Sequence, residues 1–199
     1  MRRITRDSIP FMVGLLIQRA EARWCTLWSR IGARWWRIAI GSGCKFVGMA
    51  HFERHPNSRI SIGASCVFRS SHTSNPSGIN RPCSLTTLAD GAEITIGNHC
   101  GFSGTALVCG SRVEIGNRVR CSPNTWIIDT DGHLDDSRTS PNRPIKIEDN
   151  VWLGANVTVL KGVTIGANTL VAAGSVVSRS LPGDVVAAGV PARVLRNIA

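Results

Sequence analysis

The stretch that begins at Ile147 repeats itself every six residues: IEDNVW, LGANVT, VLKGVT, IGANTL, VAAGSV and VSRS start at residues 147, 153, 159, 165, 171 and 177. A bulky aliphatic residue opens each unit, and Val, Thr or Ser usually follows four places later. An amphipathic helix would repeat about every 3.6 residues and an ordinary strand every second residue. A period of six predicts a parallel β-helix, in which three short strands and three turns close one triangular coil. Residues eighteen apart then stack, so Ile147 should lie under Ile165 and Leu153 under Val171.

The composition suits one domain with a modest appendage. The chain has 199 residues, of which 43% are hydrophobic and 20 are glycines, enough for a core in a structure that turns often. Its seven cysteines are odd in number and include no Cys-x-x-Cys pair. They read as reduced core residues, which favours a cytoplasmic location. The apolar run from Ile9 to Ile17 is too short to cross a bilayer.

Residues 1–45 are basic and rich in tryptophan, with nine Lys and Arg against Asp7 and Glu21 and four of the six tryptophans. Apolar residues three and four apart predict one helical stripe: Val13, Leu16, Ile17, Ala20, Trp24, Leu27, Trp28, Ile31, Trp35 and Ile38. Two interpretations stay open. The stripe caps one end of the β-helix, or it lies in a membrane interface with its cations on anionic headgroups, and the two are compatible if only part of the stripe is buried.

The repeat is interrupted twice. After a first unit at Ile62, residues 69–87 are irregular and rich in Ser, Asn, Pro and Gly. The pattern then predicts six inward residues, which are Ile96, Phe102, Val108, Ile115, Cys121 and Ile127. A second break spans 128–146 and contains Asp129, Asp131 and His133. Long loops on rigid scaffolds are often functional, so this break is the first place to look for a site.

The predicted organisation is therefore a basic helical segment at 1–45 and a β-helix domain at 46–199. The domain carries the two loops at 69–87 and 128–146, and the tail at 181–199 should close its open end.

At this point the residues resemble the hexapeptide-repeat acyltransferases, over roughly residues 58–199. The resemblance rests on the repeats, on the loop IIDTDGH that ends at His133, on VWLGAN from Val151 and on AAGVPARV from Ala187. It is strongest to the branch of maltose, galactoside and surface-polysaccharide O-acetyltransferases. It implies a left-handed parallel β-helix, a homotrimer with sites between neighbouring copies, and transfer of acetyl from acetyl-CoA to a hydroxyl of a saccharide or glycolipid precursor.

His133 matches the catalytic histidine of that family. A thioester is already activated, so the reaction needs a base for the acceptor hydroxyl and a donor for the developing oxyanion. Imidazole, with an unperturbed pKa of about 6.5, suits the first task. Direct transfer in a ternary complex then requires neither a cysteine nucleophile nor a metal. Asp129 or Asp131 could orient the imidazole ring, and both are equally good turn formers.

The resemblance also implies a coenzyme track and an acceptor site. The coenzyme track comprises Ala155, Ala173, Ser178, Arg179 and Arg196, with the two arginines on the phosphates and the two alanines, one coil apart, on the pantetheine arm. Ser103 and Thr105 are candidates for binding acceptor hydroxyls, and packing in the ladder is the alternative for both. Where some sugar acetyltransferases of the family carry an asparagine, this chain has Phe102, Ser103 and Gly104.

Other functions fit less well. A γ-type carbonic anhydrase shares the fold but needs three histidines around zinc, whereas His133 stands alone in its loop. No nucleic-acid-binding motif accompanies the basic charge. A serine or other small-molecule acetyltransferase remains an alternative, as does a non-catalytic scaffold. The sequence thus predicts a cytoplasmic O-acetyltransferase, with a peripheral contact to the inner face of a membrane through residues 1–45.

Overall fold

The structure is a computed structural model that describes residues 8–133 and 136–198. Within these ranges the chain forms one α-helix, α1 (Ser8–Trp35), followed by twenty β-strands numbered in chain order. Six successive coils each add one parallel strand to each of three sheets. The predicted hexapeptide β-helix is therefore confirmed.

The first sheet collects the first strand of every coil, and all its pairs are parallel. Its strands are β1 (Ala39–Ile40), β4 (Arg59–Ile62), β7 (Glu93–Ile96), β10 (Arg112–Ile115), β13 (Ile145–Ile147) and β16 (Thr164–Ile165). The β-helix thus begins before the boundary at residue 45 that the composition suggested, because β1 already pairs with β4.

The second sheet contains the second strand of every coil and the C-terminal strands. Its strands are β2 (Lys45–Val47), β5 (Val67–Arg69), β8 (Gly101–Ser103), β11 (Arg120–Cys121), β14 (Trp152–Leu153), β17 (Leu170–Val171), β19 (Val185–Gly189) and β20 (Ala192–Asn197). β20 folds back antiparallel on β19 and ends the parallel stack at this edge. The tail closes the sheet as expected, with a hairpin.

The third sheet completes each coil. Its strands are β3 (His51–Glu53), β6 (Ser84–Thr87), β9 (Ala106–Cys109), β12 (Trp126–Ile128), β15 (Thr158–Val159) and β18 (Val176–Val177). The irregular stretches run from 70 to 83, between the second and third sheets, and from 129 to 144, between the third sheet and the next coil.

Identical or similar side chains stack along the axis and make the core. Ile147 pairs with Ile165 and Leu153 with Val171, so the eighteen-residue stacking is confirmed. In the lower coils Phe68 lies between Phe46 and Phe102, with ring centroids 4.8 and 4.9 Å apart. These rings are fully buried, and apolar burial of this kind is the main stabilising term for a solenoid.

The turn chemistry explains the Gly-Ala-Asn units. Asn150, Asn156 and Asn168 all have positive φ, between 55 and 60°. Asparagine tolerates this left-handed conformation better than most residues. The side chains also form a ladder, because Asn150 Nδ2 donates to Asn168 Oδ1 at 3.0 Å.

One predicted inward residue is wrong. Leu107, not Val108, is buried and stacks with Ile127, while Val108 is partly exposed next to Ile128. Phe102 and Leu107 are five residues apart, one fewer than the repeat, and Leu107 and Ile115 are eight apart, two more than the repeat. A strict count of six cannot detect two turns of unequal length.

α1 packs on β1 and β2 at the N-terminal end of the β-helix. The contact face consists of Cys25, Ser29 and Ala33, small residues four apart that allow a close approach. Two hydrogen bonds fix the helix: Phe46 N donates to Thr26 Oγ1 at 2.9 Å, and Arg30 Nη2 donates to Gly41 O at 2.9 Å.

α1 therefore caps the β-helix as one interpretation expected, but the expectation that capping buries the apolar stripe is wrong. Trp24 is 63% exposed and Trp35 84% exposed, and only Ile38, beyond the helix, is buried. The stripe lies on the side of α1 opposite Cys25 and Ala33. No described helix is long and apolar enough to cross a membrane.

Candidate active site

The loop at 129–144 starts from a buried carboxylate. Asp129 is 0% exposed, and its oxygens accept hydrogen bonds from three backbone amides. Oδ1 accepts from Gly110 N at 2.5 Å, and Oδ2 accepts from Ser111 N at 2.8 Å and Arg112 N at 2.7 Å. The thiol of Cys109 lies 3.5 Å from Oδ2. Asp129 therefore pins the β9–β10 turn to the end of β12.

This arrangement gives Asp129 a structural task that the sequence did not indicate. Its carboxylate was predicted as one of two candidates to orient His133. Within the described residues, no hydrogen bond joins the imidazole to Asp129 or to Asp131. The acceptor capacity of Asp129 is taken up by the turn amides, which a buried anion requires.

His133 is exposed in this loop, and its backbone carbonyl holds the following turn. Asp136 N donates to that carbonyl at 3.1 Å, and Thr139 Oγ1 donates at 3.1 Å. Leu134 and Asp135 lie outside the described residues. The imidazole thus projects into solvent from a loop whose backbone is tied down on both sides.

Asp131 forms the second anchor of the loop. It accepts a hydrogen bond from the ammonium group of Lys161, and Ser140 N donates to Asp131 Oδ2 at 3.2 Å. Lys161 Nζ also donates to Ser140 O at 2.8 Å. The hydrogen bond from Lys161 holds the pKa of the Asp131 carboxyl below its usual range. Lys161, which the sequence analysis missed, therefore clamps both ends of the loop.

Two predicted coenzyme residues lie at this same corner. Lys161 follows β15, and Ser178 and Arg179 follow β18, so Arg179 stands one coil above Lys161. Both Ser178 and Arg179 are exposed. We call the corner between the third sheet and the next coil, with His133, Lys161 and Arg179, the histidine corner.

The two predicted alanines lie elsewhere, at the corner between the second and third sheets. Gly174 N donates to Ala155 O at 2.8 Å, which confirms that the turns of Ala155 and Ala173 stack. A Cβ added at Gly154 would come within 2.5 Å of Ala173 N, so glycine is needed for this close approach. Among described residues, the amides of Ala155 and Ala173 donate to no protein acceptor. We call this the alanine corner.

The loop at 70–83 stands on the alanine corner. Arg81 Nη2 donates to Asn124 O at 2.7 Å and Arg81 Nε to Gly104 O at 3.2 Å, which ties the loop to the turns below Ala155. Ser103 faces this loop and accepts from Asn75 Nδ2 at 3.1 Å. Thr105 is 1% exposed, so in this structure it belongs to the ladder. Of the two acceptor candidates, only Ser103 borders an open groove.

Arg196 is placed away from both corners. It pairs with Val186 near the start of β19, at the opposite end of the strand from the alanine corner. Arg193 pairs with Ala188, close to Ala172 and Ala173, and is exposed. The antiparallel return of β20 makes Arg193 the better placed cation, which a linear motif match could not show.

The predicted site is thus divided within one copy of the chain. His133, Ser178 and Arg179 lie at the histidine corner, while Ala155, Ala173 and Ser103 lie at the alanine corner. The third sheet separates the two. An extended ligand can contact both corners of one copy only by crossing the third sheet. Alternatively, a second copy can place its histidine corner next to the alanine corner of the first.

The cysteines lie in the interior. All seven are free and buried. Burial raises the pKa of the Cys83 thiol, and burial together with Asp129 raises the pKa of Cys109 to about 12. Within 8–133 and 136–198, no three His, Cys, Asp or Glu side chains gather as a metal-ligand set.

Similarities to known proteins agree with this geometry. Galactoside O-acetyltransferase of Escherichia coli is 41% identical over 115 residues, covering 54% of this chain and 56% of that protein. Galactoside O-acetyltransferase of Lactococcus lactis is 43% identical over 97 residues, covering 46% of each. The chain spans about half the length of these relatives.

A solved structure shows the same fold. The N-acyltransferase AntD of Bacillus cereus, in complex with dTDP and 3-hydroxybutyryl-CoA, superposes with a TM-score of 0.62 at 19% identity, over 81% of this chain and 83% of AntD. The family described as "Bacterial transferase hexapeptide (six repeats)" matches residues 144–179. The chain is similar to this family over those residues, which contain the strands β13 to β18.

Proposed function

We propose that this chain is an acetyl-CoA-dependent O-acetyltransferase that acts on a hydroxyl of a saccharide or of a glycan or glycolipid precursor. The observation that carries the proposal is the loop at 129–144, doubly anchored by Asp129 and Lys161, which presents His133 to solvent at the corner of Arg179. Two relatives named galactoside O-acetyltransferases support the choice of acceptor.

His133 acts as the general base in a ternary complex. One ring nitrogen takes the proton of the acceptor hydroxyl as its oxygen attacks the thioester carbonyl. The new O–C bond forms, the C–S bond breaks, and the proton passes from the imidazolium to the departing thiolate. Buried thiols cannot serve as nucleophiles here, because the thiolate is the reactive form and burial opposes it.

Acetyl-CoA is held along stacked turns and by surface cations. The amides of Ala155 and Ala173 donate to no acceptor among the described residues and are suited to donate to the carbonyls of the pantetheine arm. Arg179, together with Arg193 or Arg196, supplies charge for the phosphates. Ser103, beside the loop at 70–83, is proposed to contact the acceptor.

The proposed assembly is a homotrimer in which the alanine corner of one copy meets the histidine corner of the next. The division of the predicted residues between two corners supports this arrangement. A cytoplasmic location, supported by seven free cysteines, completes the proposal.

The reaction is tested by incubating the purified chain with acetyl-CoA and a panel of galactosides, other sugars and glycolipids. We expect release of CoA that depends on the acceptor, with one acetyl group found on that acceptor by mass spectrometry. Acetyl-CoA binding without transfer to any member of the panel contradicts the proposed acceptor class. The absence of binding contradicts the proposed donor.

The shared site is tested by mixing two inactive variants. His133→Ala removes the base, and Ala173→Trp fills the proposed pantetheine groove on an exposed turn. Random assembly of equal amounts leaves about one quarter of the interfaces with both intact halves, so about one quarter of the activity should return. If both corners serve the site within one copy, the mixture stays inactive.

A further inference from the structure

The N-terminal half of α1 has no protein to pack against. Between Ile9 and Ala20 only Gly14 is even partly covered. The apolar residues in this part surround the helix: Ile9, Phe11, Met12, Val13, Leu15, Leu16 and Ile17 are all exposed. A helix that is apolar on all sides is normally buried in something.

The second half of α1 continues this surface on one side only. Its exposed apolar side chains are Trp24, Leu27, Trp28, Ile31 and Trp35. They lie opposite the face that packs on the β-helix. We call this continuous surface, from Ile9 to Trp35, the outer stripe. It is about 42 Å long for a helix of 28 residues.

A row of cations borders the outer stripe. Arg19, Arg23 and Arg34 fall on one edge of it, and none of them takes part in an ion pair between described residues. Residues 8–45 carry six Lys and Arg against a single acidic residue, Glu21. The surface thus combines tryptophan, large aliphatic residues and arginine, with almost no negative charge.

We propose that the outer stripe binds an anionic lipid bilayer, with α1 lying in the plane of the surface. Its apolar side chains would enter the boundary between headgroups and acyl chains, where tryptophan is favoured. Arg19, Arg23 and Arg34 would contact lipid phosphates. The β-helix, attached to the opposite face of α1, then stands clear of the membrane with its two corners open.

The charge distinguishes a bilayer from a second copy of the chain. Pairing two outer stripes would bring like-charged arginine rows together with one acidic residue from each copy to offset them. An anionic surface neutralises every cation at the stripe edge. The inference does not depend on the proposed catalysis, because it uses no residue of either corner.

The test is cosedimentation of the full-length chain with phosphatidylcholine vesicles, with and without phosphatidylglycerol, in the absence of acetyl-CoA. Binding should require the anionic lipid. The variant Arg19→Gln/Arg23→Gln/Arg34→Gln should partition about 10²-fold more weakly, since each cation near such a surface contributes about fivefold. Removing three charges from the β-helix instead, by Arg59→Gln/Arg112→Gln/Arg118→Gln, should have little effect.

The apolar contribution is tested separately. Trp24→Gln/Leu27→Gln/Ile31→Gln should weaken partitioning at least about tenfold. The matched control changes three equally exposed apolar residues elsewhere, as Met49→Gln/Leu88→Gln/Leu195→Gln, and should bind like the unaltered chain.

Two results overturn the inference. One is equal binding by the stripe variants and their controls. The other combines two observations: the unaltered chain does not bind vesicles, and changing the stripe lowers the oligomeric size measured by analytical ultracentrifugation. A second copy of the chain would then cover the stripe. Circular dichroism checks that every variant folds. If the apolar variant misfolds, the arginine variant still tests the inference, because it leaves the apolar face intact.

Discussion

Asp129→Asn should destabilise the fold far more than its position next to a candidate catalytic loop suggests. The carboxylate is fully buried, and its two oxygens accept from the amides of Gly110, Ser111 and Arg112. An amide side chain keeps one acceptor oxygen, but its NH2 group must then face backbone N–H donors. The orientation that loses less keeps the oxygen at the position of Oδ2, on two of the three amides, and places NH2 against Gly110 N.

The magnitude follows from the bond to Gly110 N. A hydrogen bond to a charged group contributes about 1.5–3 kcal/mol, so its loss should cost about 1.5–3 kcal/mol. For a chain of this length each kcal/mol shifts the melting temperature by about 2–4 °C, so a fall of at least about 3 °C is expected. Differential scanning calorimetry at pH 7 measures it directly.

Asp131→Asn is the matched control, two residues along the same loop. Its carboxylate is exposed and paired with Lys161, so the melting temperature should stay close to that of the unaltered chain. The account is refuted if Asp129→Asn melts like the control while acetyl transfer falls sharply. That outcome would return Asp129 to the role of orienting His133.

Three further outcomes test other parts of the structure. A thiol reagent should label none of the seven cysteines in the native protein and all of them in guanidinium, because every one is buried; fast labelling of the native chain would contradict this. Phe68→Ala should lower the free energy of unfolding in urea by about 3–5 kcal/mol by removing the centre of a stacked trio of rings, whereas exposed Leu88→Ala should not. The folded-state pKa of Asp131 is lowered, so its contact with Lys161 stabilises the loop above the ordinary carboxyl range near 4 and is lost as the pH falls through the lowered value. At pH 7 the Ser140 amide should therefore exchange its hydrogen with solvent faster in Asp131→Asn than in the unaltered chain. At a pH below the lowered pKa, the two proteins should exchange this amide at the same rate. Equal exchange rates at pH 7 would show that the carboxylate of Asp131 does not anchor the loop.

The regular part of the fold could be predicted because the period of the repeat has one structural solution. Ile147 stacks with Ile165 because every turn between them has the standard length. The prediction failed at Val108, where one turn is shorter and the next longer. The amides of the longer turn donate to the buried carboxylate of Asp129, and the sequence pattern does not show these bonds.

The N-terminal helix shows a second limit. Its amphipathic pattern correctly predicted a helix, and its large apolar residues suggested the side that packs. The structure uses Cys25, Ser29 and Ala33 instead, because small side chains let the helix approach the first coil closely. Periodicity identifies an apolar face but does not say which partner covers it.

The sequence predicted which residues form the candidate site but not where they lie relative to one another. His133 and Arg179 come together at one corner because they follow strands of the same sheet. The coil geometry puts Ala155 and Ala173 at another corner, and the β19–β20 hairpin places Arg193, not the predicted Arg196, near that corner. Lys161 was missed, because a lysine inside a repeat resembles any solvated turn residue.

The most direct test of the central claim is acceptor-dependent release of CoA by His133→Ala. His51→Ala, which removes another exposed histidine from the third sheet, is the control. The account predicts a loss of at least about 10²-fold in kcat for His133→Ala, with acetyl-CoA binding and melting temperature unchanged, and no loss for His51→Ala. Equal turnover by the two variants would contradict the assignment of His133 as the base.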